Sequence, residues 1–529
     1  MAKKNEVTFS NSSDRHKEHK HLFNSSSNSD FIINMSAEGA RKLCGVYSMI
    51  AMILIALSSV PYYISKAMGS SGTYSMLHND SNDTAAFLIM TLLICAGFIG
   101  MLIFMICCVK KEIVIQNNKA AAVFVAILIS AVVSALASED LMSSILGYLD
   151  RAEGLVTIIG YIGFYAIGAT LTDAKWRRRA AQTAVIIGTV NGLMGILQSI
   201  PACSKFIPSY YNYLFMGYRT EVEFAGYFNA YGAYDPSYAA DGFACSPFAL
   251  GALLTVCCAF ALGFACFGGS AKRRILNLAA AGIMTGAAIL TQTFPAMLGI
   301  GADIVIMLVF AIAAAAKDKP KGDEKPVGKT PVLMSAASVV IAAAIALGIT
   351  LTGNFRMRNE RIIFTDAFER LSIAFDIHSE HEDNIFFTLW SDGSFVFEDN
   401  IVLGTGPDNW AKMYNDGDGM ETDRSYNEYL DIAITRGIIG AALYILMLII
   451  TLMKMVRMIK AAFAKREGVE YAAALGAATA LLAYMAQAFF NISSNYCTPF
   501  FYLTVGMIWS YEAAGKLGVS EAKKEAKKS

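Results

Sequence analysis

The stretch VLGTGPDNWAKMYNDGDGMETDRSYNEYLDIAITRGIIGAALY, residues 402–444, decides how this chain is interpreted. A polar, acidic, glycine-punctuated segment runs directly into an apolar helix, and Arg424, Tyr426, Asn427 and Glu428 stand at the junction. Because most of the chain is apolar, reactive side chains at the start of a membrane helix predict chemistry at the bilayer surface. They argue less for the passage of a solute through the bilayer.

Composition places the chain among polytopic, all-α membrane proteins. Of its 529 residues, 55% are hydrophobic and 16% are charged, whereas soluble domains carry roughly 25% charged residues. Apolar runs of about 20 residues are long enough to cross a bilayer. The sequence predicts about twelve transmembrane helices, at 43–65, 85–109, 120–138, 155–172, 181–199, 244–267, 275–291, 296–316, 332–352, 433–453, 470–490 and 499–515.

Lysine and arginine determine the predicted orientation, because cytoplasmic loops carry an excess of both. With the N-terminus inside, the inner segments hold 32 of the 43 basic residues; they are 1–42, 110–119, 173–180, 268–274, 317–331, 454–469 and the tail after 515. Both termini are therefore predicted to be cytoplasmic. The polar first 42 residues and the length of the first apolar run argue against a cleavable signal peptide.

Five parts are predicted along the chain. They are a disordered cytoplasmic tail (1–42), transmembrane helices 1–9 (43–352), a large extracytoplasmic loop (353–432), transmembrane helices 10–12 (433–515) and a basic cytoplasmic tail (516–529). Apolar side chains at helical spacing over 361–377 predict an amphipathic helix on the outer membrane surface. The acidic loop disfavours nucleic acid as a partner, and the basic tails predict contact with anionic membrane lipid.

The ten cysteines predict no metal site, because they are scattered and form no C-x-x-C pair. Most lie inside apolar runs, where cysteine packs as a small apolar residue. Cys203, Cys245 and Cys497 lie near the predicted outer face, and the sequence leaves undecided whether two of them form a disulfide. No metal or other cofactor is predicted.

Several stretches resemble the O-antigen ligase/polymerase family, which acts on lipid-linked glycans outside the membrane. Asn427 is followed by nine residues and then by Gly437-Ile-Ile-Gly440, which is the family's spacing, although Tyr426 stands where the family has histidine. LGTGPDNW (403–410) is similar to the family's LGxGPxxF turn. Further similar stretches are ILGYLDRAEGL (145–155) and MAQAFFNISSNYCTPFFYL (485–503), whereas TQTFPAMLG (291–299) has Phe294 at the family's turn arginine.

This resemblance implies transfer of a glycan from a polyprenyl diphosphate to the hydroxyl of an acceptor glycan or glycolipid. It also implies a site on the outer face of the bacterial cytoplasmic membrane. Arginines are suited to hold the leaving diphosphate, because a guanidinium group binds phosphate oxygens bidentately. The candidates for substrate binding are Arg151, Arg219, Arg424 and Arg436, and we expect Arg219 and Arg424 to matter most.

The residue that accepts the proton of the acceptor hydroxyl is left open by the sequence. Tyr426 occupies the family's histidine position, but a tyrosine has a usual pKa of about 10 and is a poor base near neutrality. One hypothesis assigns the role to an acid, and the candidates are Glu428, Asp423 and Asp431. The others assign it to an upstream histidine, His378 or His381, or require no strong base.

Two neighbouring features have a structural interpretation beside a functional one. Asn427 and Glu428 are expected to orient sugar hydroxyls, or to form a helix N-cap with an acidic first turn. Gly437 and Gly440, spaced i, i+3, are interpreted as allowing close helix packing, and Gly404 and Gly406 as turn residues.

A transporter or a flippase for lipid-linked oligosaccharides is the main alternative. Asp303 lies within an apolar run, and an acid inside the membrane indicates function by default. Asn191 and Gln198 are interpreted as polar contacts between helices. A degenerate family member, which binds glycan without turnover, is a third hypothesis, because the histidine and the turn arginine are both absent.

Overall fold

The computed structural model describes residues 36–60, 71–109, 118–147, 152–200, 203, 240–244, 246–291, 293–316, 329–352, 385–410, 424–465 and 468–525. All regular structure within these ranges is helical, which confirms the predicted all-α class. The α-helices are α1 Ala37–Ala56, α2 Ser71–Val109, α3 Asn118–Ala137, α4 Leu141–Leu146, α5 Leu155–Ala169, α6 Ala174–Gln198, α7 Pro247–Phe267, α8 Ala271–Leu290, α9 Phe294–Ala316, α10 Thr330–Thr352, α11 Ile385–Asp399, α12 Glu428–Lys465, α13 Gly468–Gln487 and α14 Thr498–Glu525.

Each predicted apolar run overlaps one of these helices, with shifted ends. Nine helices in the described part of the chain are long and apolar enough to cross a membrane, and two shorter apolar helices lie at Ala122–Ala137 and Leu155–Ala169. Twelve spans therefore remain a prediction. Helix α1 ends at Ala56 rather than 65, and α11 was not expected inside the outer loop. The amphipathic helix at 361–377 lies outside the described residues.

Helix α7 is the centre of the bundle. All of its residues are buried, and it packs against α6, α8, α9 and α13. Small residues allow the close approach: a Cβ on Gly251 would lie 2.4 Å from the Ala296 Cβ, and one on Gly263 would lie 2.5 Å from the Ala472 carbonyl oxygen. Close backbone packing of this kind stabilises helices in lipid, where water does not drive association.

Two glycine contacts hold the short helix α5 between α2 and α14. A Cβ on Gly163 would lie 2.3 Å from the Gly97 Cα, and one on Gly168 would lie 2.1 Å from the Leu503 carbonyl oxygen. Helix α5 is therefore fixed on two sides by backbone contact. This fixes the position of its N-terminal end, which carries Glu153.

Polar side chains of α6 attach the segment 240–244 to the bundle. The Gln198 Oε1 accepts from the backbone N–H groups of Asp241 and Gly242, at 3.2 and 2.8 Å. The Asn191 Oδ1 accepts from the Phe243 N–H and from the Tyr496 hydroxyl. Asn191 and Gln198 were predicted to make polar contacts between helices, but outside α6 their partners are the segment 241–243 and Tyr496, which precedes α14.

Helix α12 is broken at Gly437, which has φ +66° and ψ −177°. In an unbroken helix the Ile434 and Thr435 carbonyls would accept from residues 438 and 439. Here they accept from the N–H groups of Thr405 and Gly406, at 2.9 and 3.0 Å, and the Ile438 N–H donates to the Ile401 carbonyl at 2.8 Å. The 401–406 turn therefore satisfies the groups that the break exposes.

Gly437 and Gly440, which lie within α12, make different contacts from those predicted. Gly437 contacts the turn and not another helix, since a Cβ there would lie 2.2 Å from the Val402 carbonyl oxygen. A Cβ on Gly440 would lie 2.5 Å from the Arg436 Cβ. Close helix packing is therefore the wrong explanation for this pair, whereas Gly404 and Gly406 are turn residues as predicted, with φ +72° and +103°.

The bundle has two chemically different ends, which α12 and α14 connect. At one end Lys454 and Arg457 pair with Glu512, and the Arg177 guanidinium stacks on the Tyr511 ring at 4.1 Å. At the other end the first turn of α12 meets the residues that precede α14. We refer to these as the basic end and the polar end.

Replacing Gly437 with alanine is expected to destabilise the protein by roughly 2 kcal/mol or more, because left-handed backbone costs an L-residue about 1–2 kcal/mol and the new Cβ meets backbone. Unfolding in mixed detergent micelles measures the effect. Gly301→Ala is the control: its Cβ meets nothing within 4 Å, and we expect a change of less than about 1 kcal/mol. Equal effects of the two substitutions would contradict this account of the break.

Candidate active site

Three stretches that resemble the O-antigen ligase/polymerase family meet at one cavity at the polar end. The cavity is open to solvent and holds about 510 Å³ of space when its mouth is included. Residues 145–155 contribute Glu153, residues 485–503 contribute Ser493, and residues 402–444 contribute most of the rest. The lining is Glu153, Ile158, Tyr161, Pro407, Asp408, Trp410, Arg424, Asp431, Ile432, Thr435, Arg436 and Ser493.

A buried ion pair joins these stretches. The Arg424 Nη2 lies 3.1 Å from the Glu153 Oε2, and the two side chains are 6% and 9% exposed. The Arg424 Nη1 also donates to the Ser493 carbonyl at 2.8 Å. A charge pair removed from water needs further hydrogen bonds to offset its desolvation, and this pair has them. Arg424 thus connects all three stretches, and Glu153 is its ion-pair partner among the described residues.

Glu153 is the hydrogen-bonding centre of the cavity wall. Its Oε1 accepts from the Tyr161 hydroxyl at 3.0 Å, and its Oε2 accepts from the Ser493 hydroxyl at 3.1 Å. Its backbone N–H donates to the Asp408 Oδ2 at 3.2 Å. With these contacts added to the ion pair, Glu153 holds Arg424 in position and is already engaged by protein groups.

Arg436 differs from Arg424 because it makes no ion pair among the described residues. It lines the cavity, and its buried Nε has no hydrogen-bond partner in the part of the chain that the structure describes. The break at Gly437 follows it directly, and Gly440 leaves room for its side chain. Of the two alternatives that the sequence left for Arg436, a pair with Asp431 or Glu428 or a position facing the site, the cavity-lining position is the one observed.

Asn427 is the N-cap of α12. Its Oδ1 accepts from the backbone N–H groups of Tyr429 and Leu430, at 3.1 and 3.2 Å. These are the donors that an N-cap side chain satisfies. The structural interpretation of Asn427 is therefore confirmed, and its contact with sugar hydroxyls stays a prediction.

Glu428 is not among the residues that line the cavity. It is 2% exposed, its Oε1 accepts from the Tyr444 hydroxyl at 2.6 Å, and its Oε2 accepts from the Tyr484 hydroxyl at 2.9 Å. Both carboxylate oxygens are thus held by hydroxyls of α12 and α13. This arrangement points to a structural role, in joining the two helices, for a residue that the sequence proposed as catalytic.

Tyr426, a second of the three residues proposed as catalytic with Glu428 and His381, is also buried. It is 1% exposed and has φ +49°, and its ring lies 4.9 Å from that of Phe248. It is not among the residues that line the cavity. The position that holds histidine in the resembling family thus packs an aromatic ring against the start of α7 in this chain.

Asp431 is the predicted acid that does line the cavity. It lies one turn into α12, and its Oδ1 accepts from the Ser425 N–H at 2.8 Å and from the Ser425 hydroxyl at 2.6 Å. These bonds fix the carboxylate against the segment that carries Arg424. Asp408, from the 401–410 turn, also lines the cavity.

The remaining predicted residues are Arg151, Arg219, His381 and its alternative His378, and Asp423. All of these lie outside the described residues, so their predicted roles stay predictions. Phe294, at the family's arginine position, is buried and its ring contacts that of Phe490 at 4.8 Å. Within the described residues no three His, Cys, Asp or Glu side chains are grouped to hold a metal ion.

Sequence reasoning missed Glu153, Tyr161, Asp408, Trp410 and Ser493. All but Tyr161 lie within stretches already noted for their resemblance. An acid beside a predicted phosphate-binding arginine in 145–155 was a usable signal for Glu153. Nothing in the spacing, however, indicated that this acid would meet an arginine far along the chain.

Replacing Glu153 with glutamine is expected to destabilise the protein by about 3–5 kcal/mol, because it leaves the buried Arg424 charge without its carboxylate. The measurement is unfolding in mixed detergent micelles. A double substitution, Glu153→Gln with Arg424→Gln, removes both charges, and we expect it to be less destabilising than the sum of the two single ones. Strict additivity would contradict a direct pairing.

Part of the chain that forms the cavity matches a known protein family. Residues 279–445 match the family model described as O-antigen ligase, a range that runs from α8 into α12 and contains Trp410, Arg424, Asp431 and Arg436. No curated protein matches the chain. The matched range contains the 402–444 stretch, and the match supports the resemblance of that stretch to the O-antigen ligase family.

Proposed function

We propose that this protein is a membrane glycosyltransferase that transfers or polymerises a glycan from a polyprenyl-diphosphate carrier onto an acceptor hydroxyl. The observation that carries the proposal is the cavity in which all three family-like stretches meet around two arginines. The family match supports glycan ligation or polymerisation in the assembly of surface polysaccharide. A polyprenyl diphosphate such as undecaprenyl diphosphate suits an arginine-lined site that lies at one end of the bundle.

The cavity belongs to the outer face of the bacterial cytoplasmic membrane in this proposal. It lies at the polar end, whereas Lys454, Arg457 and Arg177 lie at the basic end. Cytoplasmic ends of membrane helices are enriched in lysine and arginine. The carrier lipid then reaches the site from the outer leaflet, and the acceptor glycan or glycolipid reaches it from outside.

Diphosphate binding falls chiefly to Arg436. Arg424 is already paired with Glu153, so part of its charge is neutralised by the protein. Arg436 lines the same cavity without an ion pair among the described residues. We therefore assign Arg436 the main contact with the diphosphate and Arg424 a supporting one. From the sequence, Arg424 was expected to matter more than Arg436.

The reaction breaks the bond between the anomeric carbon and the diphosphate oxygen and forms a bond to the acceptor oxygen. The bonding electrons leave with the diphosphate, and the cationic arginines stabilise the charge that develops on it. The acceptor hydroxyl loses its proton to a carboxylate. Transfer of this kind consumes no nucleotide sugar, and in this proposal the arginines act without a metal ion.

We assign to Asp431 the role of the carboxylate that accepts the proton of the acceptor hydroxyl. It lines the cavity in the same helix as Arg436, whereas both oxygens of Glu428 accept from tyrosine hydroxyls in the core. Its bonds to Ser425 hold it in place. Asp431 thus takes over the role that histidine has in the resembling family.

A transporter or flippase is the second candidate, and Asp303 is the observation that favours it. This acid is fully buried in α9, and neither carboxylate oxygen has a hydrogen-bond partner among the described residues. Gly299, one turn earlier, packs against Thr255 of α7. Asp303 therefore lies toward the fully buried central helix, in a different part of the bundle from the cavity.

Replacing Arg436 with alanine is expected to lower kcat/KM for glycan transfer by about 100- to 1000-fold, the usual effect of removing one donor that stabilises transition-state charge. The assay uses purified protein in lipid vesicles. Its donor is the lipid-linked intermediate that accumulates in cells lacking the protein.

Two controls separate the candidates. Arg457→Ala removes an arginine whose side chain is 68% exposed at the basic end, and we expect wild-type transfer. Asp303→Asn should also leave transfer unchanged in an enzyme of this type, whereas it would matter in a coupled transporter. Normal transfer by Arg436→Ala, together with a loss in Asp303→Asn, would overturn the proposal.

Replacing Asp431 with asparagine is expected to lower kcat by about 100-fold or more, within the range for loss of general-base assistance, with a smaller change in KM for the donor. Glu428→Gln is the matched control, because an amide can still bond the two tyrosine hydroxyls. We expect it to change stability more than kcat. The opposite pattern, with kcat lost only in Glu428→Gln, would return the role of base to Glu428.

A further inference from the structure

Trp410 ends the 401–410 turn and is fixed between two helices. It is 2% exposed and packs with Val396 of α11 and Ile434 of α12. Gly393 of α11 also faces the indole, since a Cβ there would be in van der Waals contact with the Trp410 ring at 3.4 Å. The indole therefore has little freedom to turn, and the direction of its N–H group is set by the packing.

The indole N–H of Trp410 has no acceptor in the described part of the protein, although its atom is buried. Buried tryptophan usually pairs this group, and a buried donor without a partner costs about 1–3 kcal/mol. Trp410 also lines the cavity that contains Arg436. A partner supplied by the substrate explains both the orphaned donor and its location.

Arg436 presents the same feature in the same cavity. Its buried Nε–H has no acceptor among the described residues. Indole and guanidinium groups donate only, so both require a ligand atom that accepts. A phosphate oxygen accepts without having to donate, whereas a sugar hydroxyl must also find an acceptor for its own proton.

We infer that the Trp410 Nε1–H, together with Arg436, binds a phosphate oxygen of the lipid-linked donor. This inference rests on the proposed function and adds a neutral donor to the arginine site. It also gives a chemical meaning to the tryptophan at a position where the resembling turn, LGxGPxxF, has phenylalanine. Phenylalanine is an aromatic residue of smaller size that has no N–H to donate.

Trp410→Phe tests the donor without opening a cavity of full indole size. We expect the KM for the lipid-linked donor to rise by about 10- to 100-fold, the effect of one hydrogen bond to a charged group, with a smaller change in kcat. Trp509→Phe is the matched control, because it removes an indole N–H that donates to Thr451 in the core. It should leave this KM unchanged.

A spectroscopic measurement on the wild-type protein does not depend on the folding of a variant. The chain has four tryptophans, so indole ¹⁵N labelling in lipid nanodiscs gives four N–H signals, which single phenylalanine substitutions assign. Undecaprenyl diphosphate is expected to move the Trp410 signal downfield and leave the Trp509 signal in place. The same shift with inorganic pyrophosphate also supports the inference and shows that the lipid chain is not required.

Two results would overturn the inference. One is an unmoved Trp410 signal and an unchanged KM in Trp410→Phe while Arg436→Ala still weakens donor use, which leaves the proposed function intact. The other is a shift with phosphatidylglycerol as large as that with undecaprenyl diphosphate, which indicates a general lipid contact. If Arg436→Ala also leaves donor use unchanged, the proposed function fails as well.

Discussion

The candidate site depends on one interruption in helix α12. At Gly437 the helix gives up its own hydrogen bonds, and the turn that begins at Ile401 supplies replacements to the Ile434 and Thr435 carbonyls. Buried backbone groups are satisfied in this way even though the helix is broken. As a result the turn that carries Asp408 and Trp410 is attached to the helix that carries Asp431 and Arg436.

Arg424 and Arg436, the two arginines that line the cavity, lie in different surroundings. Arg424 is paired with Glu153 and bonded to the Ser493 carbonyl, so it connects three stretches of chain and resists displacement. Arg436 lines the cavity without such a pair among the described residues. In the proposed function, the charge of Arg424 supports the cavity wall and the charge of Arg436 contacts the ligand.

Much of the fold was predictable because apolar length and basic loops follow directly from the cost of placing polar groups in lipid. Each predicted run overlaps a helix, and the 402–444 stretch does contribute most of the cavity. The roles within that stretch were less predictable. Tyr426 and Glu428 stand beside Arg424 in sequence, yet both are buried in the core, where Tyr426 meets Phe248 and Glu428 meets Tyr444 and Tyr484.

The sequence by itself determined where the apolar helices lie and which stretches resemble the O-antigen ligase family, because composition and spacing are local properties. The orientation of the helices stays a prediction. Only the tertiary structure decided which side chains face the cavity. Glu153, Arg424 and Ser493 are far apart along the chain, and they meet because glycine contacts fix α5 and a glycine break redirects α12. Such contacts depend on how close two backbones can approach, which spacing along a single segment does not reveal.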